Sequence, residues 1–144
     1  NADQQETSQI IMEGGDILIA REDILIVGNG VRTTPQGIDF IVDRFCKAHP
    51  SGRLHVLVQQ LPSEPESFIH LDMVFTLLDK DKCMIFKPLI MQANQYQTVH
   101  ITIEQGRVGI TMNTNKSRDT VANLNIEVLQ KRIYLIYHWL EKML

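Results

Sequence analysis

Short runs of branched apolar residues, broken by polar or glycine-rich punctuation, dominate the first half of the chain. Ile17-Leu18-Ile19-Ala20 and Ile24-Leu25-Ile26-Val27 flank the polar trio Arg21-Glu22-Asp23, a pattern that predicts a β-hairpin. Gly28-Asn29-Gly30 reads as the loop that closes it. Thr34-Pro35 then offers a helix cap followed by proline at the first helical position. Ile38, Ile41, Val42 and Phe45 recur at helical spacing, so a helix is expected over about 35–48, ending before His49-Pro50. Leu54 to Leu61 alternates and predicts a strand, which gives one β-β-α-β unit over about 11–61.

The second half repeats the theme less regularly. Met73 to Leu78 and Cys83 to Lys87 surround the polar turn Asp79-Lys80-Asp81-Lys82 and predict the opening hairpin of a second unit, over about 68–144. Val99 to Glu104 and Arg107 to Met112 flank Gln105-Gly106 as a third hairpin. Asn113 to Arg118 is loop-like. Ile126, Leu129, Ile133, Ile136 and Leu140 keep a spacing of three to four and predict a terminal helix over 124–144. The expected fold class is α/β (α+β), in a single partial catalytic domain spanning 1–144.

Composition narrows the function classes. A net charge of -3 with pI near 5.9 leaves no basic field for a phosphate backbone, so no nucleic-acid partner is expected. No apolar run approaches the ~20 residues needed to span a bilayer, and Asn1 to Ser8 has neither the charged nor the apolar region of an export signal. The reading is a soluble, cytoplasmic chain without a membrane partner. Two cysteines at unrelated positions agree with a reducing compartment. His49, His55 and His100 have no zinc-ligand spacing, and the aspartates around Lys80 are wrongly spaced for calcium, so no metal and no cofactor are expected.

The candidate chemistry is concentrated in Glu13-Gly14-Gly15-Asp16, Arg32-Thr33 and His70-Leu71-Asp72. A guanidinium is planar and presents five N–H donors in a fixed fork, which carboxylates match bidentately; Glu13 and Asp72 are the natural grips. Arg32 could hold a substrate carboxylate by the same geometry. Hydrolysis at the guanidinium carbon also needs a proton donor for ammonia and a base for water, and His70 can serve as both. If His70-Leu71-Asp72 is extended, its two polar residues share one face and Leu71 takes the other. Gly14 and Gly15 would let the backbone pass close to a ligand. A structural reading stands beside each role: Glu13 and Asp16 could brace the glycine turn, Arg32 could be a surface charge, Thr33 and Thr34 could cap the helix, and His70 could be a packing histidine.

Taken together, these blocks, with the extension Met73-Val74-Phe75-Thr76-Leu77-Leu78-Asp79-Lys80-Asp81-Lys82, resemble the central part of the arginine deiminases. The resemblance covers about residues 11–87. It implies a ring of five β-β-α-β units, the pentein fold of the guanidino-modifying superfamily, of which this chain would supply about two. It also implies hydrolysis of arginine to citrulline and ammonia through a covalent intermediate on cysteine, with Glu13 and His70 catalytic, Asp72 on the guanidinium and Arg32 on the α-carboxylate. Gly14, Gly15, Asp16 and Thr33 would be supporting residues.

The family nucleophile sits in a late glycine-rich loop, and neither Cys46 on the helix nor Cys83 in an apolar strand matches that setting. No nucleophile is therefore assigned in this chain, which is expected to be inactive alone. An amidinotransferase of the same superfamily, or a non-catalytic guanidino-binding or assembly module, remain the alternatives. A half-built ring exposes edges and apolar surface, so self-association into a homo-oligomer is expected.

Overall fold

The structure, a computed structural model, describes residues 9–79, 82–92 and 94–113. Strand β1 (Ile17–Arg21) pairs antiparallel with β2 (Ile24–Asn29) through the two-residue turn Glu22-Asp23. Arg21 forks onto the Asp23 carboxylate across that turn, Nε to Oδ1 at 2.5 Å and Nη2 to Oδ2 at 2.8 Å. Helix α1 (Pro35–Ala48) carries the chain over the sheet to β3 (Arg53–Gln60), which lies parallel to β2. The hairpin of β4 (Phe75–Asp79) and β5 (Lys82–Ile85) forms a sheet of its own. After the single turn α2 (Lys87–Ile90), β6 (Thr98–Glu104) returns antiparallel to β3 and β7 (Arg107–Asn113) pairs with β6. The main sheet thus runs β1-β2-β3-β6-β7.

The twofold period of the strands gives this sheet two apolar faces. Val27, Leu54, Val56, Val58, Ile101 and Ile103 meet Ile38 of α1 on one side. On the other, Ile24, Ile26 and Leu57 meet Leu61, Leu71, Val74, Phe75, Cys83 and Leu89. Strand β3 is covered on both faces, which is why Leu54 to Val58 reads as a nearly continuous apolar run.

Local chemistry explains the element ends. The Thr34 hydroxyl accepts the Gly37 N–H at 3.2 Å, capping α1 with Pro35 in its first turn. The β6–β7 loop places both Gln105 (φ 50°) and Gly106 (φ 73°) in the left-handed region, as a tight two-residue hairpin turn requires. Gly37 has a different reason: a Cβ there would stand 2.4 Å from the Ile11 carbonyl oxygen. Overpacking of this kind costs about 1–3 kcal/mol, against a helix-propensity gain over glycine of ~1 kcal/mol. Gly37→Ala is therefore expected to lower the urea unfolding midpoint, although alanine is the better helix former.

The hairpin at 17–29, the helix over 35–48, the strand after it and the hairpin at 98–113 follow the sequence expectation. Three local features differ. Gly28 and Asn29 continue β2 instead of forming a loop, because Gly28 pairs in register with Gln59. Leu71–Met73 is a single 3-10 turn, so the His70–Asp72 segment is not an extended strand entrance. Lys87–Ile90 turns helical instead of prolonging β5, with proline in its first turn. The helix expected over 124–144 and the loop beyond Asn113 lie outside the described residues. No helix among the described residues is long and apolar enough to cross a membrane.

Candidate active site

Residues 9–13 run beside the Arg32–Thr34 loop and are tied to it through two adjacent threonines. Thr34 N–H donates to the Ile11 carbonyl at 3.0 Å, while its hydroxyl accepts the Ile11 N–H at 3.3 Å and donates to the Gln9 carbonyl at 2.9 Å. The Thr33 hydroxyl accepts the Glu13 N–H at 3.2 Å. These bonds bring Glu13 alongside Arg32.

A 3-10 turn over Gly14–Asp16 then directs Asp16 inward, where it is fully buried. Its carboxylate bridges two distant segments: Oδ2 accepts the Thr33 hydroxyl at 2.7 Å, and Oδ1 accepts the Leu71 N–H at 2.9 Å. The pocket for that carboxylate exists because Gly28 has no side chain; a Cβ there would approach Asp16 Oδ1 to 2.8 Å and the Leu61 side chain to 2.7 Å. Asp16 thereby fixes the Glu13 turn, the Arg32–Thr33 loop and the His70–Asp72 turn against one another.

The three segments present their polar side chains together. Glu13 Oε2 accepts from His70 Nε2 at 2.5 Å, and Glu13 Oε1 lies 3.6 Å from Arg32 Nη1. Asp72 sits over Gly15, where an added Cβ would come within 3.1 Å of its Oδ2. Among the described residues, no side chain donates to the Asp72 carboxylate, which faces outward. Leu71 between them is fully buried. The turn thus delivers the same division, His70 and Asp72 to the open side and Leu71 to the core, that an extended segment would have given.

This arrangement has a definite chemical capacity. Glu13 holds His70 by Nε2, leaving Nδ1 without a described partner and free to exchange a proton with a bound molecule. Asp72 offers two acceptor oxygens to a cation. The Arg32–Glu13 contact is long and half-exposed on both sides, so it is worth about 0–1 kcal/mol and leaves most guanidinium donors available for a second carboxylate.

The family-model comparison decides the membership: the arginine deiminase model matches residues 1–137. The chain belongs to the arginine deiminase family. It is 29% identical over 121 residues to the arginine deiminase of Staphylococcus haemolyticus, covering 83% of this chain and 29% of that protein. It is 33% identical over 103 residues to that of Mycoplasma capricolum, covering 72% and 25%. The arginine deiminase of Streptococcus agalactiae is 32% identical over 119 residues, covering 78% and 28%. The chain therefore spans about a quarter to three-tenths of the length of these curated relatives.

Both cysteines of this arginine deiminase family chain pack against apolar clusters. Cys83 lies in the core with Leu71, Val74 and Phe75, and burial pushes its thiol up to about 11. At neutral pH it therefore stays in the neutral thiol form. Cys46 sits on α1 against the opposite apolar cluster. Thiol labelling of the native protein with iodoacetamide at pH 7.5 is expected to modify Cys46 well before Cys83; equal rates would contradict the burial of Cys83.

Sequence reasoning placed Asp16 and Thr33 among the supporting residues but missed Gly28, which it read as loop. The available signal was a glycine directly following Ile24-Leu25-Ile26-Val27, where a close approach by another group is a standing explanation. It also left His55 and His100 as solvent or packing residues, whereas β3 and β6 bring their ring nitrogens to 3.0 Å.

Proposed function

We propose that this chain carries the acid–base and guanidinium-binding part of an arginine deiminase active site, built on about two β-β-α-β units of a five-unit ring. The observation that carries the reading is the Glu13–His70 hydrogen bond beside an outward Asp72 carboxylate. Family membership and the relatives' names support arginine as the substrate.

In this reading Asp72 forks onto the substrate guanidinium and Arg32 turns from Glu13 to the α-carboxylate. A cysteine thiolate from outside the described residues attacks the guanidinium carbon. His70, kept in orientation by Glu13, gives a proton to the nitrogen that leaves as ammonia. His70 then takes a proton from water as the water attacks the same carbon, and collapse of the adduct expels the thiolate and leaves citrulline. The carboxylates draw a positively charged substrate to the place where His70 exchanges its proton, so binding and proton transfer share one set of groups.

The test is product analysis with arginine, using this chain and a version extended to the natural gene boundaries, with and without an added amine acceptor. Citrulline and ammonia from the extended protein would support the reading. An amidinated acceptor in place of citrulline would move it to a transferase, and arginine binding without turnover in either form would move it to a binding module.

A further inference from the structure

On the face of the main sheet away from α1, two histidines that the candidate site does not use meet across the β3–β6 seam. His55 stands opposite Thr102 and His100 opposite Leu57, which makes the two imidazoles diagonal neighbours. His55 Nδ1 lies 3.0 Å from His100 Nε2, with the ring centroids 5.2 Å apart, so the two nitrogens lie nearly on the line joining the rings. That line has room for one proton. A metal ion would need the lone pairs to converge beside it, and no third ligand completes such a site among the described residues.

We propose that His55 and His100 form an acid-sensitive clasp between β3 and β6, which keeps its bond through the first added proton and is released by the second. With both rings neutral, one facing nitrogen donates and the other accepts. The first added proton goes to an outward nitrogen and leaves the bond in place. A second proton puts N–H groups on both facing nitrogens and two positive charges in contact.

The surroundings are mixed. Arg53 on β3 and Arg21 at the β1–β2 turn oppose added positive charge, whereas Asp23 at that turn and Glu104 on β6 favour it. Thr102 places its hydroxyl 3.3 Å from His100 Nε2. Strand β7 brings Thr111 opposite His100, Gly109 opposite Thr102 and Arg107 opposite Glu104. Burial dominates and lowers the pKa of both imidazoles, His100 further through the charge of His55. A histidine depressed in the folded state contributes stability that is present above its unfolded pKa of ~6.5 and is lost as pH falls through that value toward the folded one.

Histidine NMR titration and urea unfolding between pH 7.5 and 5 test the clasp, using the wild type, His55→Gln, His100→Gln and the double variant. The pair is expected to titrate in two separated, coupled steps, and the histidine left in each single variant to titrate in one step, at higher pH than the second step of the wild type. The wild-type urea midpoint should fall with pH more steeply than that of the double variant. Independent single-step titrations, unmoved by removal of the partner, or equal pH slopes of the urea midpoint, would overturn the proposal. If the double variant does not fold, the titrations of the wild type and the single variants decide the matter.

Discussion

Replacing Asp16 by alanine is expected to cost about 2–6 kcal/mol of stability, because it leaves two buried donors, the Leu71 N–H and the Thr33 hydroxyl, without partners at about 1–3 kcal/mol each. The carboxylate is fully buried against Gly28, so water has no ready route to replace it. Asp16→Asn should cost less, since the amide oxygen can accept the Leu71 N–H while the amide nitrogen donates to Thr33 Oγ1. Urea unfolding of the three proteins checks the order wild type, Asn, Ala. An Asp16→Ala variant as stable as the wild type would mean that the three site segments are held together by something other than this bridge.

The second large effect concerns chemistry. In the gene-boundary protein, His70→Ala is expected to lower the rate of citrulline formation by about 10²–10⁴-fold, the usual contribution of a positioned acid–base group, while leaving the fold intact. The imidazole is partly exposed and bonds only to Glu13 among the described residues, so its removal leaves no buried polar atom unpaired. Glu13→Gln should fall between the two, because an amide oxygen can still accept from His70 Nε2, through a weaker, uncharged hydrogen bond. Initial rates by colorimetric citrulline detection, with unfolding curves as the control, separate lost chemistry from lost structure. An unchanged rate in His70→Ala would remove His70 from the reaction.

The sequence made some of this visible and hid the rest for identifiable reasons. The first hairpin and α1 were legible because two short apolar runs flank Arg21-Glu22-Asp23, because Ile38 to Phe45 keeps helical spacing, and because Thr34-Pro35 marks the helix start chemically. Glu13, Arg32, His70 and Asp72 were legible as a set through their residue types and the family resemblance; the structure puts Glu13 against His70 and Arg32, and Asp72 over Gly15.

The turn at Leu71–Met73 was not legible, since a polar-apolar-polar triplet fits an extended segment equally well. Nor was α2, whose four residues are too short to set a helical period. The Asp16 bridge joins residues 17 and 55 positions away, and the His55–His100 contact spans 45 and depends on strand register; local patterns encode neither. Gly28 was misread because glycine in sequence signals a loop, whereas here its missing side chain makes room for Asp16.

The most direct measurement is a crystal structure of the protein with arginine bound. The guanidinium is expected to fork onto the Asp72 carboxylate, its central carbon facing the Nδ1 side of His70, with Glu13 still on Nε2 and Arg32 swung onto the α-carboxylate. Arginine bound elsewhere on the chain, or with His70 turned away from the guanidinium, would contradict it.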